Sequence, residues 1–278
     1  METFTNDGFT FEVTDSGPSD GEVIVLLHGF PESRSSWREV APRLAHAGYR
    51  VLAPNQRGYS RGARPKPRRA YTLDKLAGDV LALADQAGAT RFHVVGHDWG
   101  GIVAWHLAAA HTERLLSLTS LATPHGRAMV KSLTRSTQGL KSWYMVMFQL
   151  PGLAERGFTS PARKRMRAQL AASGLSEQYL DEYMSLFAEP GAARGAINYY
   201  RALPLGPRQL FSPITVPTMY VYGTNDFALG RKAADLTGDY VTGPYRYEVL
   251  DGVSHWIPEE VPTRTSELVL DFLGSLRP

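Results

Sequence analysis

Arg91-Phe-His-Val-Val-Gly96-His97-Asp98-Trp99-Gly100-Gly101-Ile-Val-Ala-Trp-His-Leu-Ala-Ala-Ala110 reads as a buried strand, a tight turn and a helix. Its central pentapeptide, Gly96 to Gly100, has the G-x-S-x-G spacing of a nucleophile elbow, with aspartate where serine is expected. The strand–turn–helix setting lifts so short a motif above chance. Exchanging hydroxyl for carboxylate changes which substrate atom can be attacked.

Working outward, strands and helices alternate. Phe9 to Thr14 alternates polar and apolar residues, as a half-exposed strand does. Glu22 to Leu27 is a short apolar run ending in His28-Gly29, and Ser36 to Ala47 has helical spacing up to Gly48. Tyr49 to Ala53 is the next strand, Leu73 to Ala87 the next helix, and Arg114 to Leu121 the strand after the elbow helix. Residues from about His125 to Phe211 look helical throughout, with Met, Tyr and Phe clusters. Alternation resumes with strands at Thr218–Tyr222 and Tyr245–Leu250 and a closing helix at Thr263–Leu276. This rhythm predicts an α/β architecture with a mostly parallel sheet and helices on both faces. The expected division is a core of residues 1–124 and 213–278 and a helical cap of 125–212 over the C-terminal edge of the sheet, where such sheets bind ligands.

Composition excludes several function classes. The 278 residues suit one large domain or a core with an insertion, and 43% hydrophobic content suffices for a core. A formal charge of +3 does not call for an acidic polymer, and the basic runs Arg61–Arg69 and Arg163–Arg167 lack interleaved aromatics, so no nucleic-acid partner is expected. With no cysteine there is no disulfide framework or thiol nucleophile. Neither P-loop nor G-x-G-x-x-G is present, and the histidines lack a metal-ligand spacing, so neither cofactor nor metal is expected. The first residues carry no basic-then-apolar signal pattern and no apolar run spans a bilayer, which gives the expectation of a cytoplasmic protein without membrane contact, monomeric or homodimeric.

Three polar sites fall at strand ends in the order nucleophile, acid, histidine: Asp98, then Asp226 in Tyr222-Gly-Thr-Asn-Asp226, then His255 in Asp251-Gly-Val-Ser-His255. This is the chain order of α/β-hydrolase triads. His28-Gly29-Phe30-Pro31 follows an early strand and can offer the Phe30 N–H, beside that of Trp99, as an oxyanion hole. Taken singly, Asp98 reads equally as a turn aspartate, Asp226 as a helix cap and His255 as a loop histidine. Together and in order they read as one catalytic set. The aspartate carries the chemistry. A carboxylate attacking sp3 carbon forms an ester, which water can cleave, whereas a serine oxygen would form an ether. Asp98 needs no base for that attack, so His255, oriented by Asp226, is left to activate water for the second step.

His28-Gly-Phe-Pro-Glu32, Gly96-His-Asp-Trp-Gly-Gly101 and the Asp226/His255 pair resemble the α/β-hydrolase fold epoxide hydrolases, from about Phe9 to the C-terminus. Two segments of the inserted block extend the resemblance: Trp143-Tyr144 ahead of Phe148-Gln149, and Asn198-Tyr199-Tyr200-Arg201, where Tyr199 replaces the family's usual tryptophan. The resemblance implies that Tyr144 and Tyr200 hydrogen-bond the epoxide oxygen, that the peptide before Pro31 is cis, and that a small apolar epoxide is opened to a diol through an Asp98 ester. Phe30, Trp99, Trp143, Phe148, Tyr199 and Trp256 are candidates to contact substrate, although each is equally suited to a core. Asn55 and Leu150 depart from residues common in the family. Two alternatives remain open: a haloalkane dehalogenase with the same Asp-His-Asp set, disfavoured because Phe30 stands where a halide-binding asparagine is common, and a ligand-binding homologue without turnover.

Overall fold

A computed structural model describes residues 1–133, 147–150, 152–158, 162–206 and 211–277. Eight strands form one sheet in the order β1-β2-β4-β3-β5-β6-β7-β8: β1 Thr3–Asn6, β2 Phe9–Ser16, β3 Val23–Leu27, β4 Arg50–Pro54, β5 Phe92–His97, β6 Leu115–Leu121, β7 Thr218–Gly223 and β8 Tyr245–Leu250. From β4 to β8 every pairing is parallel, whereas β1 on β2 and β2 on β4 are antiparallel. The sheet is thus mostly parallel, as expected.

Alternate residues of the central strands feed two cores. Val23, Val25 and Leu27 of β3 join the face covered by the helices Leu73–Gln86 and Trp99–Ala110. Ile24 and Leu26 join the face covered by Ala41–His46 and Pro262–Ser275. Strands buried on both sides have no polar face to show, which is why β3 reads as a continuous apolar run. Between β6 and β7 lie the helices Gly126–Leu133, Leu153–Arg156, Ala162–Ala172, Glu177–Ala188 and Ala192–Ala202, with no strand among the described residues.

Two local expectations need correction. The single helix expected over Ser36–Ala47 is a 3-10 turn, Arg34–Trp37, followed by a separate helix, Ala41–His46. Pro42 lacks the N–H that would continue a helix through it, so a new one starts with proline in its first turn. The edge strand β1 was not anticipated, because only Phe4 of its four residues is buried. The turn joining it to β2 is Asp7-Gly8, both at positive φ (56° and 78°). Asp-Gly is a strong short-range hairpin signal and would have disclosed it.

Candidate active site

The elbow is built by close approach of backbone. Asp98 sits at φ 47°, ψ −115°, between the end of β5 and the first turn of Trp99–Ala110. A non-glycine residue at positive φ is strained, and such strain persists where surroundings over-determine it. They do so here. A Cβ on Gly96 would lie 2.3 Å from the Gly100 carbonyl oxygen, and one on Gly100 would lie 2.1 Å from that of Leu27. Both glycines are therefore steric requirements of the turn. Thr123 Oγ1 donates to the Asp98 carbonyl at 2.8 Å and fixes it from β6's side.

The loops after β3, β7 and β8 bring the predicted partners to this turn. The Phe30 N–H donates to Asp98 Oδ1 at 2.8 Å, and His255 Nε2 stands 3.6 Å from Asp98 Oδ2. His255 Nδ1 meets Asp226 Oδ2 at 2.8 Å. Asp226 Oδ1 accepts the N–H groups of Ala228 and Leu229 at 2.7 and 2.8 Å, which fixes which oxygen faces the histidine. The Phe30–Pro31 peptide is cis. Trp99 is the first residue of its helix, where N–H groups have no intrahelical acceptor.

Electrostatics follow from this packing. Burial works against charge on both Asp98 and His255. For Asp98 it is outweighed by His255 and the Phe30 N–H, which hold the carboxyl below its usual range. For His255 burial is outweighed by Asp226 and then Asp98, which hold the imidazole's pKa well above normal. The packing favours a charged imidazole on His255, set between the carboxyl groups of Asp98 and Asp226.

Asp98 opens onto a cavity of about 240 Å³ walled by Trp99, Ile102, Trp105, Thr123, Pro124, Met129, Val130, Tyr200, Leu203 and Leu229, among others. Asp98 is the only ionisable carboxyl, amine or imidazole in that wall among the described residues. Tyr200 joins it from the helix Ala192–Ala202, its ring edge-on to Trp99 and Phe148 at 4.8 Å and to Phe30 at 5.3 Å. Phe30 also meets Phe158 and Phe187 at 5.9 Å, so it ties the loop after β3 to the inserted helices.

Other predicted residues are placed differently. Tyr199 points away from the cavity: its hydroxyl donates to the Arg57 carbonyl at 2.8 Å, and its ring backs Trp99. Trp256 is buried beside His255, with its indole N–H donating to Ser173 Oγ at 3.0 Å, and is not in the cavity wall. Neither is therefore placed to touch a molecule in that cavity. Phe148 packs on Tyr200 and Phe30 rather than lining the wall. Trp143 and Tyr144 lie outside the described residues.

Two residues of the cavity wall went unrecognised from sequence. Ile102 and Trp105 line the cavity one and two turns along the elbow helix, a position that the i, i+3 spacing from Trp99 could have disclosed. Arg201 is nearly buried. It donates to the carbonyls of Phe148 (2.8 Å) and Leu150 (3.0 Å) and pairs with Glu155 at 2.6 Å, which clamps that segment against Tyr200's helix. His28, whose pKa burial pushes down to about 4, accepts the Gln56 N–H at Nε2 (3.2 Å) and donates from Nδ1 to the Gly29 carbonyl (2.9 Å), holding the Phe30 loop.

Comparison with known proteins agrees with this fold. The family model described as alpha/beta hydrolase fold matches residues 22–262. Epoxide hydrolase A of Mycobacterium tuberculosis is 31% identical, with 97% of this chain and 96% of that protein aligned. The AB hydrolase superfamily protein YfhM of Bacillus subtilis is 37% identical over 96% and 95% of the two chains. The crystal structure of epoxide hydrolase A from Mycobacterium thermoresistibile superposes with a TM-score of 0.83 at 28% identity, with 98% and 97% of the chains covered. By fold, by family model and by these relatives, the chain belongs to the α/β-hydrolase superfamily.

Proposed function

We propose that this protein opens an organic epoxide to a vicinal diol in two steps, through an ester on Asp98. The observation that carries the reading is a carboxylate at the elbow, with one oxygen on the Phe30 N–H and the other facing His255, at the mouth of an apolar cavity that also holds Tyr200. The names of its relatives support the substrate class.

In the first step Asp98 attacks an epoxide carbon, the C–O bond breaks, and a phenol donates to the emerging alkoxide. A phenol of reference pKa about 10 is matched to that task. Tyr200 is the donor within the described residues, and Tyr144 is proposed as the second. Esterification removes the Asp98 charge, and with it part of what kept a proton on His255. The net proton lost by the imidazole balances the one gained by the alkoxide. His255 is then a base, still oriented by Asp226 through Nδ1. It takes a proton from water, which adds to the ester carbonyl. The Phe30 and Trp99 N–H groups are assigned to the tetrahedral oxyanion, worth roughly 3–4 kcal/mol per donor by analogy. Collapse releases the diol and regenerates Asp98. The helices between β6 and β7 act as the cap that excludes bulk water, and Trp99 and Tyr200 bound the substrate.

One turnover in H2-18O with excess protein tests the scheme. Water attacks the acyl carbon, so label must enter Asp98 and be absent from the first diol. Label in the diol itself would refute the ester. A panel of styrene oxide, aliphatic epoxides and brominated alkanes, scored for diol against halide, separates epoxide from haloalkane chemistry.

A further inference from the structure

Behind the triad lies a second buried set of ionisable groups with no part in the steps above. His97 Nε2 meets the His255 carbonyl oxygen at 2.8 Å, and His97 Nδ1 lies 2.7 Å from Glu32 Oε1. Glu32 Oε2 accepts the Gly29 N–H at 2.7 Å. Glu259, four residues after His255, accepts the Tyr183 hydroxyl at Oε1 (2.9 Å). Its Oε2 is buried and has no hydrogen-bond partner among the described residues. Glu32, His97 and Tyr183 are all fully buried. Tyr183 belongs to the helix Glu177–Ala188, so this contact joins the inserted helices to the turn that carries the catalytic histidine.

The His255 carbonyl is the junction. It accepts from His97 and also from the Ile257 N–H at 2.9 Å, which begins the turn Ile257–Glu260. Opening that turn would remove one of the two donors that hold the His255 carbonyl. One buried positive charge, on His97, faces two carboxyls. Burial and the field of Glu32 push the Glu259 carboxyl up to about 8. Burial opposes charge on His97, but Glu32 outweighs it and raises the imidazole's pKa. The other groups facing Glu259 are Tyr179 on the same helix as Tyr183, with Arg38 over its ring at 4.5 Å, and the neighbouring Glu260, which is bonded to Ser254. No cation other than His97 contacts the pair among the described residues.

We propose that Glu259 is a positioning residue for His255: as the neutral acid it seats Tyr183's helix on the Ile257–Glu260 turn, and on losing its proton it opens that turn. The inference rests on the proposed function for its kinetic consequence, though not for the coupling itself. An ionised Glu259 would leave a buried charge with an unpartnered oxygen. Hydrating that oxygen requires the turn or the helix to move.

The sign can be worked through linkage. An acid whose folded pKa lies above its unfolded value makes stability fall as pH rises from the unfolded pKa to the folded one, with no further change above. The wild type should therefore lose stability relative to Glu259→Gln between about pH 4.5 and 8, and hold a constant difference beyond.

Hydrogen exchange of the peptide spanning residues 253–261, corrected for intrinsic rates, tests the coupling without substrate. Wild-type protection is expected to fall about tenfold between pH 7 and 9.5. Glu259→Gln should show no such fall, and Tyr183→Phe should move it to higher pH, because that hydroxyl favours the ionised form. The ratio of kcat at pH 9.5 to kcat at pH 7 should follow the same pattern across the three proteins. Equal exchange profiles in wild type and Glu259→Gln would overturn the proposal, as would a kcat ratio that Glu259→Gln leaves unaltered. The expected exchange pattern in a protein that turns over no epoxide would uphold the coupling and refute the proposed reaction alone.

Discussion

Replacing Asp226 by asparagine should separate the two chemical steps, and the geometry says by how much. Asp226 Oδ1 accepts two backbone N–H groups, from Ala228 and Leu229. An asparagine keeps those bonds only with its carbonyl oxygen in that place, which turns its NH2 toward His255 Nδ1. Nδ1 must then accept, so the imidazole proton moves to Nε2, and Nε2 can no longer take a proton from water. The flipped amide would restore the correct tautomer. It would also set an NH2 against two backbone donors, leaving both unpaired at about 1–3 kcal/mol each. A cost of about 2–6 kcal/mol makes the productive arrangement roughly 30- to 3 × 10⁴-fold rarer.

Ester hydrolysis should slow by that factor. Alkylation does not require Nε2 to accept a proton, so it should be affected far less. Rapid mixing of excess Asp226→Asn protein with styrene oxide, followed by quench and intact-mass measurement, should show an Asp98 adduct that forms quickly and decays slowly. If epoxide consumption slows with no adduct at any time, or if the adduct decays at the wild-type rate, the assigned roles of Asp226 and His255 are wrong.

The other expectations can be checked with standard assays. Tyr200→Phe should slow alkylation by roughly 10²-fold, and adding Tyr144→Phe should remove most of what remains; full activity in the double variant would take the cap out of the mechanism. Because His255 and the Phe30 N–H hold the Asp98 carboxyl below its ordinary 3.8, the nucleophile stays ionised as pH falls, and kcat/KM should be level from pH 7 to about 5; a tenfold loss per pH unit below 6 would contradict this. Gly100→Ala should cost about 3 kcal/mol or more, since its Cβ meets the Leu27 backbone rather than a flexible side chain, and a variant melting with the wild type would show that the elbow can relax. Arg201→Met should cost about 3 kcal/mol in urea unfolding, because it removes the guanidinium's hydrogen bonds to two carbonyls and its ion pair with Glu155, and should raise KM through the Tyr200 helix.

What could be read from the chain depended on how local its cause was. β3 announces itself because burial on both faces leaves no room for polar residues, and Gly29 follows soon after its end. β1 is nearly silent because one buried phenylalanine is all that the sheet edge demands of it. The helix expected over 36–47 failed at Pro42, a residue whose meaning is local and was available. That Asp98, Asp226 and His255 come together was legible because each stands next to a strand that fixes it. That Tyr199 and Trp256 lie outside the cavity wall was not legible for the opposite reason: an aromatic residue gives no sign of which way it faces until its neighbours are known. Tyr199 and Tyr200 are adjacent in sequence, yet one donates to the Arg57 carbonyl and the other lines the cavity.

The charge arrangement was the least legible part, and it governs the chemistry most. Sequence alone supplies one histidine and two aspartates without saying where the proton rests. A serine elbow must begin with a neutral histidine that can accept a proton from the hydroxyl. An aspartate elbow has no such need, and here the imidazole lies between carboxylates at 2.8 and 3.6 Å, which favours the charged ring before substrate arrives. Converting Asp98 to an ester removes one of those two charges and lowers the pKa of the same imidazole. Under the proposed reaction, the base needed for the second step would be produced by completion of the first, its proton passing to the alkoxide by way of the phenol donor. It follows that Asp98→Asn, which mimics the loss of charge without the ester, should lower the His255 pKa on its own; an imidazole that titrates identically in wild type and Asp98→Asn by NMR would break this link between the steps.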